Sequence, residues 1–237
     1  MHQQRIWQEL EQFNIKQNMG STLPKLENLS AILKIASDRT KADTPHSMAS
    51  VFIRNAAFIF VAQLYALSKF RAVWTGKSTS ISMADHEAYG RWMPQWSFPD
   101  GEWAEVKDEE DVHSALKSII LQDGYSLIHQ TAEATKSSRL VLWENVWGYA
   151  LWMYTQLFQE DEEINSRARG DLDILLDDSF WAGRERTSPF KKFLKGLTPE
   201  GSMSDYARVT CCLYYLIPGN DKCPYCPMMS RDKCLVD

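Results

Sequence analysis

The stretch LVLWENVWGYALWMYTQLF, residues 140–158, contains six large aromatic side chains among its nineteen residues. So much aromatic surface is too apolar for a helix that faces solvent. Ser137 and Ser138 stand just before the stretch, and a serine side chain can cap the first turn of a helix. The sequence therefore predicts a helix over residues 140–158 at the centre of the core.

A second apolar segment, residues 47–74, has few polar side chains, and Ala, Leu and Phe outnumber its β-branched residues. Its longest apolar run, residues 56–67, is interrupted by Gln63 and preceded by Arg54 and Asn55. The run is shorter than the roughly 18 to 20 residues that cross a bilayer. The segment therefore predicts a buried helix whose polar side chains need hydrogen-bonding partners, and no transmembrane segment.

The remaining chain alternates between helical and extended patterns. Apolar spacing predicts two short helices over residues 1–45 with a turn near Gly20, and another helix from the acidic residues 108–111 onwards. Tryptophans, prolines and an Asp-Gly pair predict strands and a turn around residues 80–106. Further along, we expect an acidic break at residues 161–165, renewed apolar packing at 172–176, a short basic helix from Ser188 to near Gly196, and an extended strand over residues 206–217.

These elements indicate one α+β domain, predominantly helical, that spans residues 1–237 and contains a small antiparallel sheet. We expect a mainly helical body over residues 1–205, with strands around residues 80–106, and a cysteine-rich C-terminal segment over residues 206–237. No internal repeat or Gly/Ser linker separates a second domain. The 237 residues, 44% of them hydrophobic, suffice for one large core.

Charge, the N-terminal residues and the distribution of cysteines disfavour several classes of protein. The net charge is −5, and no long run of Lys and Arg is present, which disfavours a nucleic-acid partner. The N-terminus lacks the apolar segment of a secretory signal. Five cysteines, none among the first 210 residues, disfavour a disulfide framework. We therefore expect a cytoplasmic protein.

The cysteines are confined to the last 27 residues, where Cys211 and Cys212 are followed after ten residues by Cys223 and Cys226. Clustered thiolates bind zinc or iron–sulfur clusters, whereas magnesium and calcium prefer oxygen ligands. The Cys-x-x-Cys turn places two sulfurs on one side of a knuckle, but neighbouring residues on a strand point to opposite faces. The vicinal pair must therefore twist or bulge to join the same site.

Three kinds of site fit a four-cysteine segment. A structural Cys₄ zinc site is commonly built from two separated knuckles, which this spacing lacks. A redox-active dithiol normally lies at the strand-to-helix junction of a βαβ unit, which this sequence does not predict. The five histidines show no paired metal spacing. Spacing alone favours an iron–sulfur cluster and leaves zinc open, because four thiolates serve both metals.

The segment Arg208-Val-Thr-Cys-Cys-Leu-Tyr-Tyr-Leu-Ile-Pro, together with Cys-x₂-Cys ten residues after the vicinal pair, resembles the C-terminal signature of the FhuF-like ferric-siderophore reductases. Leu142-Trp143-Glu144-Asn145 resembles the Leu-Trp-x-Asn helix of that family. Glu144 departs from the small polar residue expected there, and Cys234 is an additional cysteine. We expect Cys234 to be a free thiol outside the site.

The resemblance implies a [2Fe–2S] cluster held by Cys211, Cys212, Cys223 and Cys226, with no catalytic side chain beyond the cluster. It implies one-electron reduction of a ferric siderophore, of hydroxamate or citrate-hydroxamate type, which releases ferrous iron for assimilation. No Gly-x-Gly-x-x-Gly motif for a nucleotide cofactor is present, so electrons should come from a separate ferredoxin, flavodoxin or reductase. Any membrane association would be peripheral, at the inner face.

Candidate substrate-binding residues are Arg208 and Lys222, which lie beside the cysteines together with Arg231 and Lys233 and could attract an anionic chelate. Ordinary surface charge is the competing interpretation for these cations. Trp92 and Trp96 stand in a loop-rich stretch and are the tryptophans best placed for a pocket, whereas those of residues 140–158 favour core packing. The rival functions are a zinc-stabilised, non-redox siderophore-binding or accessory protein and a relative of siderophore-biosynthesis enzymes.

Overall fold

The computed structural model describes residues 2–20, 23–99 and 101–229. The fold is α+β and predominantly helical, as the sequence predicted. A π-helical segment, Lys117–Gly124, joins the fourth and fifth of its α-helices without a break. The α-helices are α1 (His2–Leu10), α2 (Leu29–Thr40), α3 (Pro45–Phe70), α4 (Glu109–Leu116), α5 (Tyr125–Thr135), α6 (Arg139–Leu157), α7 (Glu162–Leu176), α8 (Pro189–Phe193) and α9 (Pro199–Ser204).

In the part of the chain that the structure describes, seven short strands form three small sheets. They are β1 (Ile15–Gln17), β2 (Ala72–Trp74), β3 (Ser82–Ala84), β4 (Glu87–Ala88), β5 (Arg91–Trp92), β6 (Gln95–Phe98) and β7 (Trp103–Glu105). The three-stranded sheet has the order β1-β6-β3, and β2 with β7 and β4 with β5 form antiparallel pairs. β1 runs parallel to β6, with Ile15 opposite Trp96, so this sheet is mixed.

Helices α3 and α6 pack against each other at the centre of the core. Trp143, Trp147 and Tyr154 of α6 are each at most 1% exposed, which confirms the central helix predicted from its aromatic content. Ser138 occupies the cap position of α6, but its side chain makes no capping bond. The buried apolar side chains on these helices belong to one continuous cluster with those of the sheets.

Local chemistry explains the length of α3. Thr44 and Ser47 form a capping box at its N-terminus, and Pro45 stands in the first turn, where a missing N–H costs nothing. The helix ends at Phe70, and the next residue, Arg71, takes the left-handed conformation. By length and composition α3 could cross a membrane, but 83% of its most apolar window is buried inside the protein. It is a core helix.

One expectation from the sequence was wrong, and two others were borne out only in part. Residues 206–217 do not form a strand; they run as bends and a single 3₁₀ turn, Tyr214–Leu216. The break expected at the acidic residues 161–165 lies slightly earlier: α6 ends at Leu157, Asp161 caps α7 by accepting a hydrogen bond from the Ile164 N–H, and residues 162–165 are already helical. The two helices expected over residues 1–45 are present as α1 and α2, and the stretch also contains β1, since a strand of three residues leaves little periodicity to detect.

Candidate metal centre

The cysteine segment, residues 206–229, folds back on itself without regular strands. The Arg208 N–H donates to the Tyr225 carbonyl oxygen at 3.1 Å, which joins the start of the segment to the Cys-x-x-Cys turn. That turn is closed by the Cys226 N–H, which donates to the Cys223 carbonyl oxygen at 3.0 Å. Between the two, Gly219 reverses the chain with φ of 80°, a conformation that glycine adopts without strain. The reversal brings the two cysteine pairs together.

Each vicinal cysteine meets one cysteine of the turn. The sulfur atoms of Cys212 and Cys223 lie 3.6 Å apart. Cys226 is the neighbour of Cys211: burial and the adjacent Cys226 thiol both raise the pKa of Cys211. Leu213 takes the left-handed conformation, with φ of 57°, immediately after the vicinal cysteines, and its N–H donates to the Cys211 sulfur at 3.4 Å. Because each vicinal cysteine has its own partner in the Cys-x-x-Cys turn, the side chains of Cys211 and Cys212 can point in different directions.

The sulfur atoms suit a binuclear cluster. Within the described ranges, no three His, Cys, Asp or Glu side chains are close enough, as placed, to hold one metal ion. A [2Fe–2S] cluster does not require that, because four cysteines are shared between two irons. Two sulfur pairs within one turn-rich segment are a donor set that fits this group.

The surroundings of the close pair favour the thiolate form at Cys212. One proton shared between the close sulfurs lowers the pKa of Cys212 and raises the pKa of Cys223. Burial opposes the effect at Cys212, whereas the guanidinium groups of Arg208 and Arg54 add to it. Since the thiolate is the form that binds metal, this environment prepares Cys212 as a ligand.

Glu144 of α6 anchors the beginning of the cysteine segment. Its carboxylate is 1% exposed and accepts hydrogen bonds from the Val209 N–H, the Thr210 N–H at 2.8 Å and the Thr210 hydroxyl. It also lies 3.4 Å from Nη2 of Arg208. A buried carboxylate is costly unless it is paired and hydrogen-bonded, and Glu144 is both. The glutamate at position 144, where a small polar residue was expected, therefore has a structural role: it anchors the cysteine segment.

A second buried connection runs from α6 through α3 to the vicinal cysteines. The Asn145 side-chain amide donates to the Ser50 carbonyl oxygen at 3.0 Å and to the Ser50 hydroxyl at 2.9 Å. The Ser50 hydroxyl in turn donates to the Cys212 carbonyl oxygen at 2.6 Å. All three residues are at most 6% exposed. Two adjacent residues of α6 thus hold the cysteine segment against the helical body.

The candidate substrate residues lie in different environments. Arg208 is 9% exposed and borders a cavity beside Cys212, whereas Lys222 is exposed on the loop before Cys223. Trp92 is half-buried, and its Nε1 donates to Asp85 at 3.0 Å.

Trp96 is fully buried in β6, where its Nε1 donates to the Asn55 carbonyl oxygen at 3.1 Å. A side chain packed in this way cannot touch a ligand at the surface, which argues against Trp96 as a binding residue. Arg231, Lys233 and Cys234 lie outside the described residues.

Sequence reasoning missed four residues around the site: Ser50, Arg54, Glu144 and Asn145. A signal existed for Arg54, which interrupts an otherwise apolar helix and so needs partners on burial. Ser50 gave no signal, because a small polar residue is common in buried helices and its partner is 162 residues away in sequence.

The four gathered cysteines and a family match over the same segment together indicate an iron–sulfur protein. Residues 208–227, which include all four paired cysteines, match the family model described as FhuF 2Fe-2S C-terminal domain. The chain therefore carries the C-terminal domain of the FhuF-like family, as its cysteine motif predicted, and its cofactor is a [2Fe–2S] cluster. No curated protein and no solved structure matches the chain.

Proposed function

We propose that the protein is a cytoplasmic ferric-siderophore reductase whose cluster ligands are Cys211, Cys212, Cys223 and Cys226. When bound, the [2Fe–2S] cluster supplies one-electron redox chemistry. The observation that carries the proposal is the match of residues 208–227 to the FhuF cluster domain, combined with the two cysteine pairs in that segment.

The overall reaction transfers one electron. A reduced external carrier, either a ferredoxin, a flavodoxin or a reductase, loses the electron, and Fe(III) in the siderophore becomes Fe(II). Siderophores hold iron through hard oxygen donors, which bind the softer ferrous ion more weakly. Reduction therefore releases the iron for assimilation.

The side chains of this protein position the centre. Glu144 holds residues 208–210, and Ser50 holds the backbone of Cys212. Because both anchors lie on buried core helices, the thiolates keep a defined place relative to the helical body. The cavity bordered by Cys212 and Cys223 gives a ligand access to one side of the cysteine segment.

An anaerobic single-turnover experiment tests this function. The cluster-loaded protein is reduced, mixed with hydroxamate, citrate-hydroxamate or catecholate ferric siderophores, and followed by visible absorbance while a ferrous chelator traps Fe(II). We expect reoxidation with about one Fe(II) per cluster, fastest for the first two classes. A cluster that stays reduced in the presence of every chelate would refute the reductase function. A colourless protein that carries stoichiometric zinc would support the non-redox alternative.

A further inference from the structure

Apolar side chains are exposed around the cysteine segment. Within the residues that the structure describes, five large apolar side chains are strongly exposed, and three of them, Val209, Tyr225 and Met228, belong to this segment. A fourth, Leu197, precedes α9 and is 49% exposed. Scattered apolar residues are normal on a surface, whereas a group of them with a polar border marks an interaction site. The outer face of the cysteine segment therefore has the composition of a docking surface.

Positive charge borders this face. Five of the twelve residues 184–195 are Lys or Arg and one is acidic, although the chain as a whole carries a net charge of −5. Lys195 joins the two regions, because its Nζ donates to the carbonyl oxygens of Ala207 at 2.8 Å and Arg208 at 3.4 Å. The Arg208 N–H in turn donates to the Tyr225 carbonyl oxygen. The basic stretch and the exposed apolar side chains are therefore neighbours in space.

The cations of this border are available to a partner. Arg186 and Lys192 are exposed and line one cavity together with Arg139 and Glu185. Glu185 brings one negative charge against three positive ones, and across the described ranges no ion pair joins it to Arg186 or Lys192. Exposed charges of one sign attract an oppositely charged protein and speed its docking. This border therefore favours an acidic partner.

We propose that this face docks an acidic electron-carrier protein, the donor that reduces the cluster. The inference rests on the proposed reductase function and specifies where its electron enters. In the docked complex the reduced carrier loses one electron and the oxidised cluster gains it. Carboxylates of the carrier meet the basic border, and an apolar patch of the carrier packs on the exposed apolar side chains. The contacting residues are Arg186, Lys192, Lys195, Leu197 and Val209.

Docking at this face brings the carrier close to two of the proposed cluster ligands. Val209 is two residues from Cys211, and Tyr225 is next to Cys226. Because consecutive Cα atoms are about 3.8 Å apart, the Cα atoms of these residues lie within about 8 Å of those of the cysteines. An anionic membrane would also attract the cations, but it would gain nothing from nearness to the cysteines. The position of the face therefore favours a redox partner.

Stopped-flow mixing under anaerobic conditions tests the proposal. An acidic flavodoxin in its hydroquinone form is mixed with the oxidised, cluster-loaded protein, and the absorbance of the flavin semiquinone gives the second-order rate constant. Lys192→Glu should lower this constant about fivefold at low salt, and by less than about twofold at 0.5 M salt, because salt screens exposed charges. Lys192→Gln should have a smaller effect. Lys34→Glu, the same charge change at an exposed position of α2, is the matched control and should leave the constant unchanged.

Two further measurements separate docking from damage to the cluster. Reduced methyl viologen, a small cation that needs no docking face, should reduce the wild type and Lys192→Glu at rates within about twofold of each other. Leu197→Ser should slow reduction by flavodoxin at both salt concentrations, because salt does not screen an apolar contact. Slow reduction of Lys192→Glu by both reductants would trace the effect to the cluster and overturn the docking role.

The outcomes also separate the docking face from the reductase function. No electron transfer from flavodoxin, or equal rates for Lys192→Glu and Lys34→Glu, would overturn the face even if ferric siderophores reoxidise a viologen-reduced cluster. Reduction by flavodoxin that depends on Lys192, in a protein whose cluster no ferric chelate reoxidises, would support the face and refute the reductase function. Binding to phosphatidylserine vesicles that Lys192→Glu abolishes, with an unchanged flavodoxin rate, would assign the cations to a membrane surface instead.

Discussion

The hydroxyl of Ser50 donates a hydrogen bond of 2.6 Å to the backbone carbonyl oxygen of Cys212 and so ties the longest helix to the vicinal cysteines. Both residues are buried, and Asn145 holds the Ser50 hydroxyl from the other side. The contact lies in the core rather than at the surface, so water cannot replace it. The position of the cysteine segment therefore depends on the packing of α3 against α6.

Ser50→Ala should loosen the cysteine segment. The substitution leaves the Cys212 carbonyl oxygen and one Asn145 N–H without their partner, which costs about 1–3 kcal/mol of folding free energy. We expect a lower thermal midpoint and faster bleaching of the cluster absorbance when an iron chelator is added. Ser126→Ala, at an exposed position of α5, is the matched control and should change neither. Bleaching at the wild-type rate in Ser50→Ala would contradict the anchoring role.

Glu144→Gln should have a larger effect than Ser50→Ala. A carboxylate accepts all the hydrogen bonds offered by residues 209 and 210, whereas the amide turns a donor towards them and leaves Arg208 without its counter-charge. Removing one partner of a buried ion pair costs about 3–5 kcal/mol. The measurement is denaturant unfolding together with cluster retention. Glu133→Gln, at an exposed position of α5, serves as the control. Equal stability of Glu144→Gln and Glu133→Gln would refute the anchoring role of Glu144.

Acid should weaken the attachment of α1 through Glu9. Burial raises the pKa of Glu9, but hydrogen bonds from Tyr65 and Lys69 outweigh it and hold the pKa below the ordinary value of 4.5. A carboxyl whose pKa is lower in the folded state stabilises the fold above its ordinary pKa and loses that contribution as pH falls through the folded pKa. We expect unfolding free energy to decline below about pH 4.5, and less steeply in Glu9→Gln. If the unfolding free energy fell equally steeply with pH in the wild type and in Glu9→Gln, Glu9 would be excluded as a source of the acid sensitivity.

Replacement of Lys222 tests whether surface charge attracts the substrate. It is exposed on the loop next to Cys223, and exposed charges act over about 10 Å at 0.1 M salt. Lys222→Ala should raise KM for an anionic ferric chelate about two- to threefold at low salt and hardly at all at high salt. Lys34→Ala on α2 is the control. An equal rise in KM at both salt concentrations would argue against electrostatic attraction.

The sequence predicted the features that depend on local composition. The aromatic content of residues 140–158 predicted the central helix, and cysteine spacing with the family resemblance predicted the cluster. The strand expected over residues 206–217 failed because β-propensity does not register Leu213 in the left-handed conformation or the anchors on Glu144 and Ser50. Contacts between residues more than sixty positions apart depend on tertiary packing, which periodicity cannot reveal.

The sequence also could not predict the pairing of β1 with β6. Each strand is three or four residues long, and their parallel register joins Ile15 to Trp96 across two helices. Trp96 consequently lies in the core, although its neighbourhood of prolines had indicated a loop and a pocket. The position of Arg54 at the cavity likewise follows from the packing of α3, not from its neighbours in sequence.

Iron and acid-labile sulfide content, measured with the EPR spectrum of the reduced protein, tests the central claim that four C-terminal cysteines hold the [2Fe–2S] cluster. We expect about two irons and two sulfides per chain in the wild type and in Cys234→Ser, with the same EPR signal. Cys212→Ser should lose or alter the signal and the visible absorbance. Loss of the cluster in Cys234→Ser, or an unchanged cluster in Cys212→Ser, would contradict the assignment of Cys211, Cys212, Cys223 and Cys226.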